Sequence, residues 1–174
     1  DAVLFLLYFT TGARRNEIAS LEVKDFNRLE RTIKIIGKGD RVRTSRVHPE
    51  AYSELCAWLD ETEIRQGKIF RRISKSDRVI HERDCNPARR THRTPNLTGV
   101  GIYTILKRRV AEAGLNTKYH PHAFRHGAIT NLAKRGVDIG VITYQMGQKD
   151  PKTAMRYMHH LEEAAADAID NLEF

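Results

Sequence analysis

One stretch of this chain reads as β-structure, and it limits what the rest can become. Thr32 to Ile36 is a β-branched, apolar run. Gly37-Lys38-Gly39-Asp40 follows as a turn. Val42 to Val47 then alternates apolar or β-branched residues with polar ones, as the second arm of a hairpin would. Elsewhere apolar residues recur at helical spacing. Helices around one small hairpin predict an α+β, mainly α fold with a small antiparallel β-hairpin or sheet. A length of 174 residues fits one domain, or at most two small ones.

The helices are delimited by their breaks. Residues 1–10 read as a helix stopped by Thr11-Gly12, and a short helix resumes from Arg14 to Leu21. Pro49 opens a helix whose apolar stripe is Leu55, Trp58 and Leu59. Val100, Tyr103, Leu106, Val110 and Ala113 repeat at three and four residues until Gly114. Pro121 opens another helix carrying Phe124, Ala128, Ile129 and Leu132, closed by Gly136. Asp138 is placed to cap a short helix ending near Gly147. Asp150-Pro151 starts a further one through Tyr157, and Leu161 to Leu172 forms a last amphipathic helix.

Charge divides the chain unevenly. The first 160 residues hold all 30 Lys and Arg but 17 of the 22 acids, a net of +13. The acidic remainder lies in 161–174, read as an acidic C-terminal helix. Residues 71–95 carry eight Arg or Lys and two prolines, and read as a basic loop or insertion. A basic body predicts a polyanionic partner, nucleic acid above all; the plainer reading is solubility. The longest apolar run, Ala2 to Phe9, is too short for a membrane span. Cys56 and Cys85 make no disulfide framework, so a reducing, cytoplasmic setting is expected. The chain opens with Asp inside an apolar segment, without a basic leader, and is read as a fragment of a longer protein.

Four places carry chemistry. Thr11-Gly12-Ala13-Arg14 feeds a helix start, which sets backbone N–H groups and an arginine at one spot suited to an anion. His122 and Arg125 lie three apart on a helix and share a face, so both can reach one phosphate. Lys38 sits between glycines at the hairpin tip, where an ammonium can protonate a leaving oxygen if the hairpin folds over a phosphate. Tyr157 follows Gln148 by nine residues. A phenol is a poor nucleophile at its free pKa near ~10, but arginines on a phosphate stabilise the charge that builds in the transition state. Taken singly, each place has an ordinary reading as surface charge or packing. A zinc site on His120, His122 and His126, or on His159-His160, competes for the histidines, without an HExxH or a nearby cysteine to support it.

In this order and spacing, the four places resemble the catalytic domain of the tyrosine recombinases, the phage integrase family. The match runs from about Thr10 to Tyr157. The family pattern is an arginine after a Thr-Gly turn, a lysine in a Gly-Lys-Gly hairpin, a His-x-x-Arg helix, a Gly-His pair and a tyrosine nine positions later. Gln148 departs from it, standing where the family usually has His or Trp; its amide donates a hydrogen bond but carries no charge.

The resemblance implies that 1–174 is a single catalytic domain, with an N-terminal core-binding domain outside it. It implies that Tyr157 attacks a DNA phosphodiester to give a 3′-phosphotyrosine and a 5′-hydroxyl. Arg14 and Arg125 would clamp the non-bridging oxygens, His122 would handle the tyrosine proton, Lys38 would act as general acid, Gln148 would complete the cradle and Glu17 would orient the arginines. Neither a cofactor nor a metal is implied. The implied partners are double-stranded DNA attachment sites and a homotetramer joined through the C-terminal helix, in a cytoplasmic, nucleoid-associated protein. Type IB topoisomerase-like relaxation of DNA, and a DNA-binding module with impaired chemistry, are the alternatives.

Overall fold

The computed structural model describes residues 1–37, 39–86, 88, 94–115 and 121–147. Among them six α-helices surround one three-stranded antiparallel sheet, so the fold is α+β and mainly helical. The helices are α1 (Ala2–Thr11), α2 (Arg15–Ser20), α3 (Pro49–Glu61), α4 (Gly99–Glu112), α5 (Pro121–Lys134) and α6 (Ile139–Met146). The strands are β1 (Phe26–Asn27), β2 (Thr32–Ile36) and β3 (Val42–Arg46), in the order β1-β2-β3. Among the described residues no helix is long and apolar enough to cross a membrane.

α1 is apolar all round because it is central. It packs on α3 and α5, and its Leu7 and Tyr8 are fully buried. Around them lie Ile18, Leu21, Ile33, Ile35, Leu55, Leu59 and Ile102, contributed by α2–α4, β2 and the residue after α2. A second cluster, Ala128, Ile129, Ala133, Ile142 and Met146, seals α5 against α6. Stacked rings of Phe5 and Phe124, 5.9 Å apart, tie α1 to α5. α6 is only eight residues long and depends on its cap: Asp138 Oδ1 accepts from the N–H of Gly140 (2.8 Å) and of Val141 (3.1 Å). Asp138→Ala is expected to cost about 1 kcal/mol, read as a lower midpoint in urea unfolding.

The structure moves three expectations. A short strand, β1, joins the hairpin, pairing Phe26 with Ile33. α4 turns a different face inward: Val100 is 69% exposed, while Ile102 is buried beside Leu106 and Val110. The first turn of α4 lies against α2, where a Cβ at Gly99 would sit 2.0 Å from Asn16 Oδ1. Third, β3 buries two of its polar residues. The register sets Ile35 opposite Arg43 and Ile33 opposite Ser45. Residues opposite one another share a face of the sheet, so Arg43 and Ser45 go inside while Val42 is 54% exposed.

The basic stretch from residue 71 is partly built into the fold. The Arg71 side chain is buried and donates to the Gln66 carbonyl at 2.9 Å. Isolated bridges pair Arg71 with Asn96 and Ile73 with Val79. The expected helices beyond Asp150, and the acidic segment 161–174, lie outside the described residues. Cys56 and Cys85 are free thiols.

Candidate active site

The turn between α1 and α2 builds the centre of the site. Gly12 ends α1 in the left-handed region (φ 57°), and its N–H donates to the Tyr8 carbonyl at 3.0 Å. Three things meet at this residue. A Cβ on it would lie 1.9 Å from Met146 Sδ on α6. Its carbonyl accepts from Arg125 Nη1 on α5. And the chain leaves it toward Arg14, the cap residue of α2.

Arg14 is held by Glu17 at two points. Its backbone N–H donates to Glu17 Oε2 at 3.0 Å, and its Nη1 to Glu17 Oε1 at 2.7 Å. The Arg14 side chain is 46% exposed, whereas that of Glu17 is 6% exposed. The same carboxylate also accepts from Arg43 Nη2 at 3.0 Å. Burial pushes the Glu17 carboxyl up, but the backbone and guanidinium of Arg14 together with Arg43 outweigh it and hold the group below the usual range. Glu17 is thus a buried anion between two cations.

A cleft of about 700 Å³ opens beside this pair, and its lining includes Arg14, Glu17, Gly37, His122 and Arg125. Arg125 is buried and His122 is exposed on the same helix face. Two arginines against one carboxylate give the cleft a net positive wall that suits an anion. So Arg14, Glu17, His122 and Arg125, separated by up to 111 positions in the chain, come together. Gly37, the residue before Lys38, reaches the same cleft; a Cβ there would lie 3.3 Å from Glu17 Oε1. Lys38, Gln148 and Tyr157 lie outside the described residues, as does His120.

Arg43 was not among the residues singled out from the sequence. Its side chain is 8% exposed, and it pairs with Glu17 from behind the cleft. A Cβ at Gly147 would sit 2.7 Å from Arg43 Nη1, so this guanidinium also lies against the end of α6, one residue before Gln148. Nothing in β3 alone marks it; the hairpin pairing and Glu17 do. The Gly37 N–H donates to the Arg41 carbonyl, which sets residue 43 opposite Ile35 on the buried face.

The model of the phage integrase family matches residues 1–164, and the chain belongs to that family. Among its curated relatives is tyrosine recombinase XerC of Treponema denticola, 29% identical over 99% of this chain and 54% of that protein. XerC of Bifidobacterium longum is 32% identical over 91% of this chain and 42% of that protein. The chain therefore spans about half the length of the curated relatives it matches. Of the solved structures, XerA recombinase shares the fold at a TM-score of 0.73 and 21% identity, over 99% of this chain and 58% of its own. XerH site-specific recombinase bound to difH substrate, a pre-cleavage complex, aligns at a TM-score of 0.66 and 30% identity, over 94% of this chain and 44% of its own.

Proposed function

We propose that this chain is the catalytic domain of a site-specific DNA recombinase that breaks and rejoins strands through a 3′-phosphotyrosine. The observation that carries the reading is the meeting of Arg14, His122 and Arg125 on one positive cleft. The two guanidinium groups clamp the non-bridging oxygens of a phosphodiester and stabilise the charge that develops as the phosphorus is attacked. Tyr157 supplies the nucleophilic oxygen, and its proton passes to His122. The phosphorus–O5′ bond breaks as the phosphorus–O(Tyr157) bond forms, and Lys38 protonates the departing 5′-oxygen. The amide of Gln148 donates to the same phosphate. The new ester conserves the energy of the old one, so a 5′-hydroxyl of another strand reverses the step and completes exchange. Glu17 does not react; it holds Arg14.

In this reading the substrate is double-stranded DNA carrying attachment sites. The active assembly is a homotetramer on two duplexes, joined through the acidic segment 161–174, and the protein works at the nucleoid. The test is covalent capture. Full-length protein is recovered from its host under denaturing conditions, and the DNA bonded to it is sequenced. A single recurring site attached to the wild type, and none attached to Tyr157→Phe, is the expected result. An adduct that survives Tyr157→Phe overturns the assignment.

A further inference from the structure

The Glu17 carboxylate has more donors than the Arg14 side chain alone supplies. Its Oε2 accepts from the Arg14 N–H at 3.0 Å and from Arg43 Nη2 at 3.0 Å, while its Oε1 accepts from Arg14 Nη1 at 2.7 Å. A carboxylate oxygen has two lone pairs, so Oε2 is filled. Arg43 is fixed in this place from two sides. β3 carries it on the buried face of the sheet, opposite Ile35, and its side chain is 8% exposed. On the other side the guanidinium lies on Gly147, where a Cβ would come 2.7 Å from Nη1 and 2.9 Å from Cδ. Gly147 ends α6 in the left-handed region (φ 59°), so backbone and guanidinium both favour glycine there.

The consequence falls on Arg14. A guanidinium and a carboxylate commonly pair fork to fork, two N–H groups on two oxygens. With Nη1 on Oε1, the fork would close through Nη2 on Oε2, and Arg43 holds that oxygen. The Arg14 guanidinium is therefore bound to Glu17 by one nitrogen, and among the described residues its Nε and Nη2 have no hydrogen-bond partner. These two N–H groups point the same way from a planar group and match two oxygens of a phosphate. The Arg14 side chain is 46% exposed where it lines the cleft, whereas Arg43 is not part of the cleft wall.

We propose that Arg43 is a positioning residue: by occupying Oε2 it stops Glu17 from taking Arg14 by both terminal nitrogens, and so keeps the Nε–Nη2 edge of Arg14 for a phosphate. The inference rests on the recombinase reading for that phosphate; the competition at Glu17 stands on the contacts alone. Arg43 acts only through Glu17 and Arg14.

The test reads Arg14 directly, without DNA. Phenylglyoxal condenses with the two terminal nitrogens of an arginine, and peptide mass spectrometry gives the rate of modification at each arginine of the full-length protein. Arg43→Met should slow modification of Arg14 about tenfold, the factor that one further hydrogen bond within a charged pair contributes. Adding Glu17→Gln to Arg43→Met should restore the fast rate, since an amide has one accepting oxygen. Arg14 reacting at the wild-type rate or faster in Arg43→Met overturns the proposal; a merely structural role predicts the faster rate, because a loosened site exposes Arg14. Urea unfolding shows whether each variant folds. If Arg43→Met does not, Gly147→Ala decides by the same reading: its methyl displaces Arg43 from Glu17 with every charge kept. Covalent capture of DNA by the wild type separates the two readings. A slowed Arg14 with no adduct removes the chemistry and keeps the positioning role; an adduct with Arg14 unslowed removes the positioning role alone.

Discussion

Glu17→Gln is expected to destabilise the protein by about 3–5 kcal/mol at pH 7, because it leaves a buried charge without its counter-ion. Arg43 is the charge in question: its side chain is 8% exposed and Glu17 is its ion-pair partner. Glutamine has the right shape but one carbonyl oxygen in place of a charged, two-oxygen acceptor shared by three donors. The pH dependence identifies the cause. The folded Glu17 carboxyl titrates below its ordinary value of 4.5, so the unfolded chain binds its proton more readily. The stabilisation is therefore complete above that value and is lost as pH falls through the lower, folded one. In urea unfolding the gap between wild type and Glu17→Gln should be widest near pH 7 and should shrink toward pH 3. A gap that stays constant down to pH 3 would assign the loss to packing instead. Arg14 also loses its anchor, and under the proposed function a misplaced clamp should slow single-turnover DNA cleavage by about a hundredfold.

Much of this was legible from local rules. The ends of α1, the β2 turn, α3 and α6 follow from Gly12, the Gly-Lys-Gly turn, Pro49 and the Asp138–Gly147 pair, each of which acts within a few residues of itself. The gathering of Arg14, His122 and Arg125 was legible as a resemblance of ordered motifs; local periodicity alone places none of them in one cleft. What escaped depends on contacts made at a distance. Val100 looked like a core residue because it keeps helical spacing with Leu106 and Val110, but α4 meets α2 through Gly99 and turns Ile102 inward instead. Arg43 looked like one more surface cation in a basic chain. Its burial becomes favourable only because the Glu17 carboxylate of α2, 26 positions earlier, accepts from it. A lone charge at that position would be costly, so no reading of β3 by itself puts an arginine there.

Gly12→Ala is expected to damage the site more than any other single methyl group. The left-handed backbone costs a residue with a Cβ roughly 1–2 kcal/mol. The new methyl also falls 1.9 Å from Met146 Sδ and 3.3 Å from Met146 Cγ, so the methionine has to move. Met146 is fully buried in the cluster that seals α5 to α6, and forced repacking of a filled core costs about 1–3 kcal/mol more. A total of roughly 2–5 kcal/mol should appear in urea unfolding. The two parts separate in a double-mutant cycle. Met146→Ala makes room for the methyl, so the double variant should be more stable than the two single losses added together, while the backbone share of the cost persists. Strict additivity would show that the methyl and the thioether do not compete for the same space. Cleavage should suffer beyond the loss of stability, because the Gly12 carbonyl accepts from Arg125. When the turn shifts to admit a methyl, that acceptor shifts with it, and under the proposed mechanism one of the two guanidinium groups then loses the phosphate.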